Sequence, residues 1–378
     1  MRVGFYAPMK PPNHPSPSGD RTLAQLLIEA ITLSGHEVQV MSEFRSLDIS
    51  GDPDIQENIE IQGREEAKRI LQQITSNGCE IIDLWFTYHL FHKAPDWLGP
   101  EISKTLGIPY VVAEASYAPK QQMGPWQTGL ARVETALCSA DGVISLNPRD
   151  RHCIQPFLNA NVIQSSLLPF TRQLPNRKEK HDRLKARLGQ HLGADSRAPW
   201  LIVVAMMRKG DKEHSYRILA SALEQILDLD WQLMLIGSGD AADSVQRAFG
   251  PIGEDRVQAL GMLESTETQQ YLDASDIFVW PAVNEAFGMA MLEAHRHGLP
   301  VVAGYTDGTA TIVEDQVTGF LTEPENTETF AQAVRHLLEN RNLRKTMERN
   351  AREKFRSNHT LKNAARAVDR FLRSLTLP

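Results

Sequence analysis

The chain has 378 residues, 42% hydrophobic and 23% charged, enough apolar material for two cores of roughly 150 to 200 residues each and too little charge for a disordered chain. Forty Lys and Arg against 47 Asp and Glu leave a formal net charge of −7, which excludes a bulk basic field for nucleic acid or an anionic membrane. Any anionic ligand must therefore be met by a local site.

From the N-terminus, "MRVGFYAPMKPP" lacks the long apolar region of a signal peptide, and no stretch reaches the roughly 18 apolar residues of a membrane span, so a cytoplasmic protein is expected. Membrane contact is expected to be peripheral at most, at the inner face. β-rich runs follow at 2–6 (RVGFY), 37–41 (EVQVM), 81–86 (IIDLWF), 109–114 (PYVVAE), 142–146 (GVISL) and 162–169 (VIQSSLLP), separated by helix-period stretches such as 20–35 and 126–140. Strands that alternate with helices and are apolar on both faces predict a parallel sheet covered on both sides. The charged, proline-flanked stretch 171–199 is the natural boundary, read as a solvated linker or helix face. Strand runs then restart at 200–206, 231–237, 256–261, 276–281 and 299–304, and residues 330–375 are helical in pattern. Cys79, Cys138 and Cys153 form no CxxC pair and are expected to be reduced thiols.

The fold class that follows is α/β, two Rossmann-like doubly wound domains facing a central cleft. The expected divisions are 1–175 for an acceptor-side domain, 176–198 for a linker, 199–355 for a nucleotide-sugar domain and 356–378 for a terminal helix packing back on the first. In such folds ligands bind beyond the carboxyl ends of the strands.

One stretch at such an end, "NEAFGMAMLEAHRHGLPVVAG" (284–304), sets Glu285 and Glu293 among Met, Ala, Leu and Phe. A strand ending at "VWP" is followed by a helix expected over 287–297, so backbone N–H groups of Ala286, Phe287 and Gly288 form a ready anion site. If all eight residues were helical, Glu293 would lie about 12 Å beyond Glu285 and about 80° from it around the axis. An acceptor-only carboxylate suits a vicinal diol, and two of them flanking an anion site suggest a nucleotide sugar. Against this stands the ordinary reading of Glu293 as a solvated helix residue, which its apolar neighbours Met289, Met291 and Leu292 weaken.

The Glu, seven residues, Glu pattern before "GLPVV" resembles the signature of the retaining glycosyltransferases of family four (glycosyl transferases group 1, glycosyltransferase-B fold). The resemblance is strong over about 200–355 and architectural before it. It implies that Glu285 holds hydroxyls of the transferred sugar, that the amides of Ala286 to Gly288 approach the distal phosphate, and that Glu293 binds the ribose. It also implies an Arg and a Lys for the pyrophosphate after the first strand of the second domain. Arg208 and Lys212 are expected in that role, with Lys209 competing with Lys212. No metal and no cofactor is expected, since fixed cations can stabilise the leaving diphosphate and no Asp-x-Asp stands at a strand end. Gly237 and Gly239 in "GSGD" either let a ligand approach or make a tight turn, and the backbone at Gly261 and Met262 is where the family meets the base. "TGFLTEPENTETFAQAV" (318–334) resembles the family's next turn, short strand and helix.

In the first domain Gly19 resembles the family's glycine loop, with Asp20 where a second glycine is usual. The family's histidine after the fourth strand is missing. Glu114, Ser116 and Tyr117 stand there instead, and His89, followed by His92, is a candidate replacement on the acceptor side, although packing is the commoner role of such a pair. Thr311 occupies a position where the family often has Glu. Tyr117, Met123 and Trp126 suggest either an apolar acceptor groove or packing.

The leading expectation is a retaining, metal-independent glycosyltransferase that moves a sugar from a UDP- or GDP-sugar to an unidentified acceptor, a saccharide, lipid or small molecule. A nucleotide-sugar epimerase on the same fold and a non-catalytic nucleotide-sugar binding protein are the alternatives. A nicotinamide dehydrogenase would need GxGxxG after a strand, which is absent.

Overall fold

The structure is a computed structural model describing residues 1–16, 18–76, 82–174 and 179–375. Cys79, Ile81 at the start of the third expected strand, and residues 175–178 of the expected boundary lie outside the described residues. The chain forms two compact units, Met1–Phe170 with Leu361–Pro378, and Thr171–Thr360.

Unit 1 is built on β1 (Arg2–Tyr6), β2 (Glu37–Ser42), β3 (Leu84–Leu90), β4 (Tyr110–Ala115), β5 (Gly142–Ser145) and β6 (Ile163–Ser166), all parallel in the order β2-β1-β3-β4-β5-β6. Helices α1 (Gly19–Leu33), α2 (Pro53–Ser76), α3 (Gly99–Leu106), α4 (Gln127–Ser139) and α5 (Pro148–Ile154) alternate with the strands. The side chain of Ser18 caps α1 by accepting from the Arg21 amide at 3.2 Å, and the helix buries Leu23, Leu27, Ala30 and Ile31 at helical spacing. β3 starts three residues later than the apolar run suggested. Asp83 spends its carboxylate and amide on the backbone of Arg2, so the strand begins after it and continues through "YHL".

Unit 2 contains β7 (Trp200–Val204), β8 (Gln232–Ile236), β9 (Val257–Gly261), β10 (Ile277–Trp280), β11 (Val301–Gly304) and β12 (Gly319–Thr322), parallel in the order β12-β11-β10-β7-β8-β9. Its helices are α6 (His181–Leu192), α7 (Asp211–Glu224), α8 (Ala242–Phe249), α9 (Ser265–Ala274), α10 (Met289–His297), α11 (Asp307–Ile312), α12 (Thr327–Glu339) and α13 (Arg341–Asn358). Within the stretch read as a linker or helix face, residues His181–Leu192 form α6. α6 turns Leu184 and Leu188 into the unit 2 core, while Lys185 bonds Asp276 at the foot of β10. The four-residue spacing of the two leucines puts them on one helix face, and the charge that suggested a linker lies mostly on the other. Trp200 and Trp231 are buried and anchor this core, and truncating either to Ala should destabilise it by roughly 3–5 kcal/mol.

The final helix, α14 (Leu361–Ser374), belongs to unit 1, where it packs on α1 and β6. Among the described residues no helix is long and apolar enough to cross a membrane.

In both sheets the strand order reverses beside a central strand, between β1 and β3 in unit 1 and between β7 and β10 in unit 2. Loops leaving the carboxyl ends of those strands are where each unit can hold a ligand.

Candidate functional site

In unit 2 the chain leaves β7 through Ala205 to Gly210, whose φ of 89° turns it into α7. It leaves β10 through residues 281–288, with Ala282 and Asn284 held at φ of 58° and 51°, a conformation that non-glycine residues seldom adopt. Neighbouring elements pin that loop. A Cβ at Gly304 would sit 2.1 Å from the Pro281 carbonyl oxygen and one at Gly308 2.0 Å from that of Ala286, so only glycine fits at either position. Thr306 Oγ1 donates to the Glu285 carbonyl at 2.9 Å, and the Val283 amide donates to Ser215 Oγ at 3.1 Å.

The loop delivers Glu285 to Lys212 in the first turn of α7, where the ammonium and Oε2 form an ion pair. Trp280 Nε1 donates to the same oxygen at 3.3 Å, and Lys212 Nζ lies 5.2 Å from the centre of the Trp280 ring. Trp280 in turn meets Tyr216 edge-on at 4.9 Å, and the Tyr216 hydroxyl donates to the Ala205 carbonyl at 2.7 Å, tying the two loops together. The Glu285 side chain is 18% exposed and that of Lys212 34%, so the pair is open enough to meet a ligand.

The other expected unit 2 residues surround this pair unevenly. Arg208 and Lys209 are exposed in the loop between β7 and α7. α10 begins at Met289, two residues later than expected, because Gly288 takes a φ of 67° and caps it. Among the described residues, the amides of Ala286, Phe287 and Gly288 have no hydrogen-bond partner, which leaves three donors at the helix start. Only residues 289 to 292 lie between the Gly288 cap and Glu293, so the spacing worked out for eight helical residues does not apply. Glu293 is half-buried, and burial pushes its carboxyl up against the opposing pull of Arg296.

Gly237 and Gly239 are needed for close approach to this chain's own backbone. Cβ atoms there would lie 1.9 Å from the Ala205 carbonyl oxygen and 2.3 Å from that of Met207. Gly261, at φ 67°, accepts from the Gly237 amide at 2.8 Å, and Met262 beside it is exposed. Thr311 donates to the Gly308 carbonyl at 2.6 Å within α11.

Unit 1 carries a second group. Gly19 is the first residue of α1, and a Cβ there would meet nothing within 4 Å, so the fold itself does not demand glycine. Asp20 follows it and meets His89 Nδ1 at 3.1 Å. Although burial pushes the Asp20 carboxyl up, His89 pulls it below its ordinary range. The β3–β4 register pairs Tyr88 with Ala113 and Leu90 with Ala115, which sets His89 opposite Glu114. Both take left-handed backbone, φ 64° and 59°. Glu114 is 8% exposed, and its Oε2 is buried without a hydrogen-bond partner. Burial, reinforced by Asp150 and Asp20, holds its carboxyl well above the usual range. Asp150, in the first turn of α5, is also pushed up by burial, with His89 and Arg149 opposing. The sequence reading missed Asp150, because an Asp in a first helical turn is ordinary.

Ser116 is half-buried, its amide donating to the Leu90 carbonyl at 3.0 Å. Tyr117 does not join the group. Its hydroxyl donates to Glu134 at 2.6 Å and its ring packs on Phe157 at 4.2 Å. His92 meets Trp126 edge-on at 5.9 Å, and Phe91 is in ring contact with both histidines, at 5.2 Å from His89 and 5.5 Å from His92. Trp126 Nε1 donates to the Asp48 carbonyl at 3.1 Å and Met123 is 94% exposed, so these side chains and Tyr117 make separate contacts and line no common groove. Among the described residues no group of three or more His, Cys, Asp or Glu is arranged to hold a metal ion.

Residues 198–340 match the family model described as Glycosyl transferases group 1. The chain is 29% identical over 168 residues to alpha-D-kanosaminyltransferase of Streptomyces kanamyceticus, covering 44% of this chain and 43% of that protein. It is 33% identical over 144 residues to a sulfoquinovosyl transferase of Arabidopsis thaliana, covering 37% and 27%. The matched part thus spans less than half the length of these curated relatives. Anabaena HepE, solved in complex with UDP and glucose, superposes with a TM-score of 0.71 at 19% identity over 99% of this chain and 100% of HepE. At that identity the likeness is one of fold, and the fold is glycosyltransferase-B.

Proposed function

We propose that this chain, whose residues 198–340 match glycosyl transferases group 1, is a glycosyltransferase that takes a sugar from a UDP- or GDP-sugar with retention and without a metal ion. The observation that carries the reading is the Lys212–Glu285–Trp280 constellation at the strand-order reversal of unit 2, beside the three uncommitted amides of Ala286 to Gly288.

A diphosphate can draw Lys212 from Glu285, with Arg208 and the three amides supplying further donors. Glu285, relieved of its cation, can accept from hydroxyls of the sugar. Glu293 lies one helical turn into α10 and is the proposed ribose acceptor. In the chemical step the bond between the anomeric carbon and the phosphate oxygen breaks. The acceptor oxygen bonds that carbon on the same face, and its proton passes to the leaving phosphate. The protein contributes orientation and fixed charge, the terms that commonly dominate such catalysis. On unit 1, His89, Glu114 and Ser116 are the proposed acceptor side. Tyr117 is withdrawn from that set by its bond to Glu134.

Calorimetric titration of the EDTA-treated protein with UDP, GDP, ADP and NAD tests the reading. Selective binding of UDP or GDP, weakened in Glu293→Ala, is expected. If no diphosphate binds, or NAD alone does, the reading fails. Conversion of the donor to its epimer with no acceptor present would replace transfer by epimerisation.

A further inference from the structure

Glu114 is unlike the other carboxylates of the chain. It lies inside a parallel sheet, 8% exposed, with Oε2 buried and unpartnered. The acidic groups that act on it are Asp20 from α1 and Asp150 from α5, both of like charge. The basic side chains nearby act on the other two carboxylates. Lys10 acts on Asp20, Arg149 on Asp150, and His89 bonds Asp20. Tyr88, the remaining titratable neighbour, is buried and held neutral by burial and by Glu114 and Asp20. A carboxylate kept for packing alone would be paired or replaced by its amide, because an unpaired buried acid is destabilising. The backbone is also bent at this point, since the facing residues His89 and Glu114 both take left-handed φ one rung before the carboxyl end of the strand pair.

We propose that unit 1 takes an acceptor bearing a protonated amine, and that Glu114, flanked by Asp20 and Asp150, is the subsite for that ammonium group. This rests on the transferase reading and adds the chemical class of the acceptor. An ammonium supplies up to three N–H donors and the positive charge the cluster lacks, whereas a hydroxyl supplies one donor and no charge. A metal ion is the other cation to weigh, and no group suited to one exists among the described residues.

The test titrates glucosamine, N-acetylglucosamine and glucose into the full chain at pH 7, followed by NMR or calorimetry. Glucosamine, an amine, is expected to bind at least tenfold more tightly than its neutral analogues. Glu114→Gln is expected to erase that preference and Asp150→Asn to reduce it by about threefold. Equal affinities, no measurable glucosamine binding, or a preference that survives in both folded variants overturns the proposal. UDP, GDP and ADP titrated separately into the wild-type chain keep the two readings apart. Amine selectivity with no diphosphate bound would sink the nucleotide-sugar reading, and diphosphate binding without amine selectivity would sink this one alone.

Discussion

Two glutamates at the carboxyl edges of two similar sheets meet opposite surroundings. Glu285 stands on a loop after its strand, receives Lys212 and the Trp280 N–H, and stays partly open. Glu114 sits within its strand, has no cation in contact, and is pressed by two further carboxylates. Both lie near backbone held at positive φ. The same architecture thus builds a charge-neutral pair, proposed to meet an anion, and an unpaired buried carboxylate, proposed to meet a cation. Local partners, and not the fold, decide which ligand charge each unit can hold.

The largest effect that tests this contrast is on the paired site. Lys212→Ala and Glu285→Ala are each expected to lower kcat/KM for transfer by roughly 10²–10³-fold, the scale of losing one fixed electrostatic contact to the transition state. A loss below tenfold in steady-state assays would show that the pair is structural. Glu293→Ala is expected to weaken UDP or GDP binding by about tenfold, read by calorimetry, without lowering Tm.

The pH dependence of stability sharpens the comparison further, because the units carry buried groups of opposite sign. Glu114 has a folded-state pKa above its unfolded one, so its contribution is fully present below about 4.5 and is lost as pH rises. Glu114→Gln is therefore expected to melt higher than wild type at pH 8 by a few degrees, about 2–4 °C per kcal/mol, with the gap closing toward pH 4.5. His295 in unit 2 is fully buried, and burial pulls its imidazole down to about 3 from 6.5. Its unfolded form binds the proton first, so stability falls as pH drops below about 6.5, by up to roughly 1.4 kcal/mol per pH unit. His295→Leu is expected to flatten that decline in melting curves between pH 6.5 and 4.5. The smallest effect belongs to Lys209→Ala, expected to leave transfer rates within about twofold because exposed charges contribute little.

Much of this was readable beforehand because buried parallel strands must be apolar on both faces. "GVISL", "WQLMLIG" and "LPVVAG" therefore marked β5, β8 and β11 to within two residues at either end. Spacing and family resemblance single out Glu285 and Lys212, but not their contact with each other, which joins residues 73 positions apart. Trp280 was read only as the end of a strand. Its buried indole N–H, which must find an acceptor, was the available signal. The Glu114–His89 rung was illegible for a different reason. Left-handed φ is announced by glycine, and neither residue is one. α6 was legible only as a linker or a helix face, because its charge masked two leucines in register on one side.

The placement of α14 has a consequence in time. Unit 2 is one uninterrupted segment, whereas unit 1 closes only when Leu361–Ser374 lays Val368, Phe371 and Leu372 against it and Asp369 meets His36 at 3.0 Å. A ribosome emits those residues after some 190 others that fold elsewhere, so unit 1 must wait with the flank of α1 uncovered while its neighbour is already complete. The long loop this closure requires makes it the slow event of folding. Pulsed hydrogen exchange during refolding should find protection in β7 to β11 before it appears in α1, and simultaneous protection would show that the early segment needs no such closure.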